Sequence, residues 1–220
     1  MKTEIMSFNG MNSVGLYGLA ADKYVLVGQE VREETTKELE KIFSMPIHRI
    51  TIAGTSLIGV FLNYANGKLL VPSIAFESEL KKLEKLGIDF EVIDTKYACL
   101  GNNMLFGEKE GIVNPNYSES FTRKLGEKLG ITLHRMKING IESIGSICVI
   151  SNGKGVVSND ISEEEFEEMQ KILGAELTPG TINMGSEYIK SGLLVNKNGL
   201  IIGKGSGGPE IANTDQAFRN

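Results

Sequence analysis

Apolar and polar positions along this chain follow a pattern that comes round five times. Each round begins at a glycine that opens an apolar run: Gly15 (VGLYGLA), Gly59 (IGVFLNY), Gly101 (LGNNMLF), Gly145 (IGSICVI) and Gly192 (SGLLVNK). These anchors are 44, 42, 44 and 47 residues apart. About seven residues on comes a turn: Asp22-Lys23, Asn66-Gly67, Glu108 to Gly111, Asn152-Gly153 and Asn198-Gly199. Asn-Gly favours hairpins because both residues tolerate positive φ. A second apolar run follows in each round (YVLVG, KLLVP, GIVNP, GVVSN, LIIGK), so each unit is predicted to open with a β-hairpin.

The period then changes from strand to helix. Leu80, Leu83 and Leu86 make one helical stripe; Phe121, Leu125 and Leu129 make another; Phe166, Met169 and Leu173 make a third. Ser162 and Glu165 have capping-box spacing. Gly87, Gly130 and Gly174 stand where three of the helices should stop, with Ser44 in that place in the first unit. A third strand leads to the next anchor: HRITI, DFEVI, TLHRMKI, ELTPGTI. A small turn precedes each anchor; Gly10, Gly54 and Gly140 lie five residues before theirs and Gly185 seven before.

The unit is ββαβ. A unit of about 44 residues cannot bury its apolar faces alone, so the five must pack on one another. The fifth lacks a third strand, and the N-terminal KTEIMSFNG has the character of the missing one. Terminus-to-terminus pairing would then close a ring. The expectation is an α/β fold, a five-fold pseudosymmetric α/β propeller, with 1–220 as one domain. Its repeats fall at about 7–50, 51–93, 94–136, 137–179 and 180–220, and residues 1–9 close the ring.

Composition narrows the function. The formal charge is −5, a poor general grip on phosphate backbones, so any nucleic-acid contact should be local or routed through protein. Two cysteines and two histidines, without CxxC or HxxxH spacing, offer little to a metal. Isolated thiols suit a reducing cytosol. MKTEIMSFNG has no apolar signal core and no run is long enough to span a bilayer, so the expected location is cytoplasmic, with no membrane partner and no cofactor.

Several local signals read as structure. His48 and His134 both lie 33 residues after their anchors, on non-adjacent units, and should be held apart. Cys148 sits at a hairpin core position, and Cys99 flanks a turn at a place where other units carry Ser13, Leu57, Ser143 and Lys190. Gly203 to Gly208 matches GxGxxG, but no acidic ribose partner or further strand follows; a hairpin-to-helix link with Pro209 as first helical residue is expected. Glu163 to Glu168 reads as a solvated helix face.

The turns before the anchors carry the functional expectation. In a closed ring they share one rim, and loops on a rigid scaffold are the usual carriers of binding residues. The candidates are Asn9; Gly54, Thr55 and Ser56; Leu100, Gly101 and Asn102; Glu142; and Asn183, Gly185, Ser186 and Glu187.

The chain also resembles the translation initiation factor 6 family, the anti-association factor of the large ribosomal subunit. The resemblance rests on IAGTSLIG (52–59), NGKLLVP (66–72), ACLGN (98–102), ESIGSICVISNGKGVV (142–157), PGTINMGSEYIKSGLLVNKNG (179–199) and GPEIANTDQAF (208–218), which cover essentially the whole chain. The archaeal form is the closer fit, because the eukaryotic proteins carry a further tail after the fifth unit. The resemblance implies a pentein fold and a non-catalytic, monomeric protein. It implies binding to the large ribosomal subunit on its intersubunit face, mainly through ribosomal protein uL14, with L24e and the sarcin–ricin loop nearby, and a part in subunit biogenesis. It favours Asn102, since the asparagine of the family's LGN belongs to the ribosome-binding face. It departs at Val60, where the eukaryotic factors have a basic residue. Two alternatives remain: another protein-interaction scaffold, or a guanidino-modifying enzyme of the same fold. The latter needs a late cysteine nucleophile and a histidine base, whereas this chain has no Cys after 148 and no His after 134.

Overall fold

In the computed structural model, which describes residues 1–219, the chain enters through β1 (Lys2–Met6). Unit 1 follows as α1 (Val14–Tyr17), β2 (Gly18–Ala20), β3 (Val25–Gly28), α2 (Glu33–Phe43) and β4 (Ile47–Ile50). Unit 2 is α3 (Ile58–Phe61), β5 (Asn63–Ala65), β6 (Lys68–Pro72), α4 (Glu77–Lys85) and β7 (Phe90–Ile93). Unit 3 is α5 (Leu100–Asn103), β8 (Met104–Phe106), β9 (Glu110–Val113), α6 (Glu119–Leu129) and β10 (Thr132–Arg135). Unit 4 is α7 (Ile144–Ile147), β11 (Cys148–Ser151), β12 (Lys154–Ser158), α8 (Glu163–Leu173) and β13 (Glu176–Gly180). Unit 5 is α9 (Ile189–Gly192), β14 (Leu193–Val195), β15 (Gly199–Gly203) and α10 (Gly208–Phe218).

Each unit builds a three-stranded sheet whose middle strand pairs antiparallel with the first and parallel with the third. In unit 5 the third strand is β1, which runs parallel to β15 from Lys2↔Gly199 to Met6↔Gly203. The ring therefore closes as the sequence predicts.

The middle strands read as unbroken apolar runs because both of their faces are buried. In β6, Leu69 and Val71 enter the core shared with unit 1, while Leu70 enters the core shared with unit 3. In β15, Leu200 and Ile202 face unit 4 and Ile201 faces unit 1. The period of two thus assigns alternate residues to alternate interfaces. Every apolar cluster joins one unit's sheet to the next unit's helix and sheet. Each fully buried Leu or Ile contributes about 1.5–3 kcal/mol, and every core is completed by residues of the neighbouring unit.

The helix stops hold. Ser44, Gly87, Gly130 and Gly174 are all left-handed, at φ 54°, 67°, 65° and 58°. Ser162 and Glu165 form the reciprocal cap, with the Glu165 amide donating to Ser162 Oγ at 3.2 Å and the Ser162 amide donating to Glu165 Oε2 at 3.2 Å.

The anchors differ from expectation in two ways. They do not open strands; each is the second residue of a one-turn helix, and the five short helices ring the pseudo-fivefold axis. Backbones approach there more closely than any side chain allows. A Cβ on Gly59 would lie 1.9 Å from the Gly15 carbonyl oxygen. Second, the residue in that place in unit 5 is Lys190, not Gly192. The last spacing is therefore 45 rather than 47, and Gly185 stands five residues before its anchor like Gly10, Gly54 and Gly140. Gly192 is required by something else: a Cβ there would meet Ile182 Cγ1 at 2.3 Å.

Candidate functional site

Strand direction sorts the loops onto two faces. From its short helix each first strand runs to the hairpin turn, the middle strand returns, the long helix goes back, and the third strand returns again. Hairpin turns and long-helix C-termini therefore share one face. Asn66 Nδ2 donates to Leu129 O at 2.8 Å and Asn198 Nδ2 to Phe43 O at 2.8 Å, tying hairpin turns to helix ends there. The turns before the short helices and the long-helix N-termini share the opposite face, which is the predicted rim.

On that rim four units carry the same tight turn, closed by a two-residue bridge: Phe8↔Met11, Ile52↔Thr55, Ile138↔Ile141 and Ile182↔Ser186. Its residues are left-handed: Asn9-Gly10 (φ 53° and 84°), Ala53-Gly54 (52° and 72°), Asn139-Gly140 (46° and 74°), and Asn183-Met184-Gly185 (49°, 69° and 93°). This geometry turns backbone N–H groups toward the nearby helix N-terminus. In three units a glutamate accepts them. Glu79 takes the amides of Ala53 (2.8 Å), Gly54 (3.0 Å) and Phe76 (2.9 Å). Glu165 takes the Asn139 amide at 2.8 Å. Glu210 takes the amides of Met184 (3.1 Å), Gly185 (2.8 Å) and Gly207 (2.7 Å), and the Thr181 hydroxyl at 2.8 Å. Burial alone would raise the pKa values of Glu79 and Glu210, but these donors outweigh it and hold both carboxyls below the usual value. The acidic run at 163–168 is thus only partly a solvated face.

The same contacts settle the GxGxxG segment. The anion seat at the start of α10 is filled by the chain's own Glu210, and the helix begins at Gly208, one residue before Pro209. A Cβ on Gly203 would meet Asn12 O at 2.2 Å, and one on Gly205 would meet Asn12 Nδ2 at 2.8 Å. The glycines serve the packing of a neighbouring turn.

Unit 3 is the exception. Residues 94–97 have no left-handed pair; Thr95 Oγ1 accepts the Tyr97 amide at 3.2 Å instead. Leu100 and Gly101 are not part of a rim turn. They belong to α5 and are buried, Gly101 because the Gly59 carbonyl oxygen would lie 2.0 Å from its Cβ. Asn103 is buried as well, bonded to Cys99 O and Asn114. Asn102 is half-buried, and among the described residues its side chain has no hydrogen-bond partner.

The other candidates lie on the rim. Asn9, Gly54, Glu142 and Gly185 are exposed; Thr55, Ser56, Asn183, Ser186 and Glu187 are half-buried. Asn9 Nδ2 donates to Glu30 O at 2.6 Å, and Thr55 Oγ1 and Ser186 Oγ accept the amides of Leu57 and Tyr188. Asn183 Nδ2 donates to Asn12 O at 3.3 Å, joining the turns of units 5 and 1. Ser56 packs against Gly28.

Exposed large apolar side chains are the part of this face that the sequence reading missed. Met184 is 82% exposed, Phe76 56%, Met11 49%, Tyr188 48% and Ile74 47%. All five sit on rim turns or before α4, in units 5, 1 and 2. Contacts of α1 with both α9 and α3 make these units neighbours, so the five side chains occupy one arc. A methionine within the Asn-Met-Gly turn at 183–185 was their clearest sign in the sequence.

The remaining signals stay apart. His48 and His134 lie in different sheets; burial, then Lys82, lowers the pKa of His48, and the His134 ring is 2.6 Å from Glu110 Oε2. Cys148 is buried and its thiol pKa is pushed up by burial, as is that of half-buried Cys99. No helix of the described residues is long and apolar enough to cross a membrane.

Residues 3–217 match the model of the eIF-6 family. The chain is 28% identical to a translation initiation factor 6 from Pyrococcus horikoshii over 224 residues, spanning 99% of each. It is 31% identical to a translation initiation factor 6 from Pyrococcus furiosus, again over 99% of each. Among solved structures, DDAH from Pseudomonas aeruginosa in complex with citrulline shares the fold: TM-score 0.52 at 11% identity, covering 94% of this chain and 74% of that one. The architecture is accordingly a pentein fold of five repeats.

Proposed function

Because the chain belongs to the eIF-6 family and is a translation factor, we propose that it binds the large ribosomal subunit on its intersubunit face and prevents the small subunit from joining. It acts as a cytoplasmic monomer without cofactor and takes part in large-subunit biogenesis. The observation that carries the reading is the rim itself, where exposed Met184, Tyr188, Met11 and Phe76 stand on turns and helix starts held by backbone hydrogen bonds, several of them to glutamate carboxylates. A rigid apolar arc with a polar border suits a protein partner, and the acidic net charge suits a dock dominated by protein. That partner is uL14, with L24e and the sarcin–ricin loop beside it.

Within the site, Asn102 contributes a free amide. Leu100 and Gly101 act from beneath by fixing α5, and Asn9, Gly54, Thr55, Ser56, Glu142, Asn183, Gly185, Ser186 and Glu187 shape or border the contact. The enzymatic alternative finds no support in the thiols: neither is activated, since burial disfavours the thiolate of both.

Co-sedimentation with purified subunits tests the reading. The protein should travel with the large subunit and lower the fraction of joined ribosomes. Met184→Glu should weaken binding about tenfold or more, and Asn102→Ala should weaken it less, both with unchanged thermal stability. Failure to co-sediment, or normal subunit joining at saturation, refutes the function. Full binding by both variants refutes the site.

A further inference from the structure

A channel of about 660 Å³ enters the ring from the hairpin-turn face, away from the rim. Asp22, Glu108 and Lys197 stand at its mouth, and Gly15, Gly59, Gly145 and Lys190 line its floor. Four units place glycine in this position and so leave the axis open. The fifth places a lysine. Its Nζ crosses the axis to unit 3 and donates to the Gly101 carbonyl oxygen at 2.6 Å. Protein surrounds this side chain, yet part of it remains open to the channel.

Closing the ring does not call for this residue, since glycine serves at the other four corners. Burying an ammonium costs several kcal/mol unless it is paired. Lys190 has one acceptor for three N–H donors and makes no ion pair among the described residues. The carboxylates that share the channel, Asp22 and Glu108, are at its mouth. The arrangement places an amine with further N–H donors at the inner end of the channel, where an anion could meet them.

We propose that this channel binds a small monocarboxylate, seated on the Lys190 ammonium. One ammonium matches a single negative charge. The carbonyl oxygens of Gly15, Gly59 and Gly101 gather at the floor and repel a dianion. The walls add apolar surface from Leu19, Leu105 and Val149 for a short hydrocarbon body. Burial pulls the pKa of Lys190 down to about 7, so binding should draw in a proton above neutral pH. The titratable side chains on the elements packed closest to α9 are Tyr17 on α1, Cys148 on β11 and Lys154 on β12. None is a carboxylate that could supply the missing charge.

Saturation-transfer NMR on the intact protein, with butyrate and lactate as probes and sulfate as competitor, tests the proposal. Transfer should appear near pH 6 and fall about tenfold per pH unit well above 7, because only the ammonium form binds. Lys190→Met should weaken binding about tenfold or more, the loss of a charged hydrogen bond. Lys190→Gly, which restores the residue of the other four units, should do the same and guards against a folding defect in the first variant. Absent transfer, equal transfer in a folded variant, or displacement of butyrate by equimolar sulfate would each overturn it.

Discussion

The glutamate clasp on the rim makes the sharpest prediction. Glu79 is only 7% exposed, and its carboxylate holds three backbone N–H groups: two from the left-handed turn at 53–54 and one at the start of α4. Glu79→Ala leaves all three without an acceptor. Hydrogen bonds to a charged group are worth about 1.5–3 kcal/mol each. Gly54 and Phe76 are exposed, however, so water replaces much of two of them. The net loss should be about 2–3 kcal/mol, or roughly 4–12 °C in Tm for a chain of this size. Glu79→Gln keeps one acceptor oxygen and should lose about half as much. The pH dependence separates the clasp from simple packing. The folded pKa lies below the ordinary value near 4.3. The contribution is therefore complete above about pH 5 and disappears as pH falls through the lowered folded value. Thermal melts of wild type and Glu79→Ala should differ fully at pH 7 and converge in acid. An undiminished difference in acid, or none at pH 7, refutes the clasp. Glu165→Ala should cost less, because Glu165 holds a single turn amide, that of exposed Asn139.

Three further outcomes follow from the same geometry. Gly59→Ala puts a methyl 1.9 Å from a carbonyl oxygen at the ring's centre; it should cost 3 kcal/mol or more, roughly, or abolish soluble expression, as read by denaturant titration. Deleting residues 1–6 removes the partner of β15 and leaves an apolar strand edge; size-exclusion chromatography should show association into larger species. A maleimide should label half-buried Cys99 slowly in the native state and Cys148 only after unfolding, as peptide mass mapping would show.

The repeats, the helix stripes and their left-handed ends were legible because each rests on local chemistry that recurs in three to five units, and the ring closure because the fifth unit is one strand short. The one-turn helices were not. Four residues carry too little periodicity to distinguish a helix from the strand that follows, and only packing across the axis demands it. Unit 5 was misregistered because Gly192 imitates an anchor while the true anchor, Lys190, has a side chain. Gly101 and Leu100 looked like a turn because LGN is small and polar-flanked, yet their burial comes from α3 and α7 on either side. The glutamate clasp spans 26 residues at each of Glu79, Glu165 and Glu210, a spacing that only the finished fold makes meaningful.

The pairing of β1 with β15 also fixes an order of events in time. Lys2 leaves the translating ribosome 197 positions ahead of its partner Gly199. At about 5–20 residues per second that interval is roughly 10–40 s. Throughout it, residues 2–6 have no strand to join, and unit 1 lacks the neighbour that buries Val25 and Val27 against Ile201. Units 2 to 4 can dock as they emerge; the seam between the first and fifth cannot. The β1–β15 seam is therefore the last of the five to close, and a nascent chain keeps one strand waiting for a partner made much later.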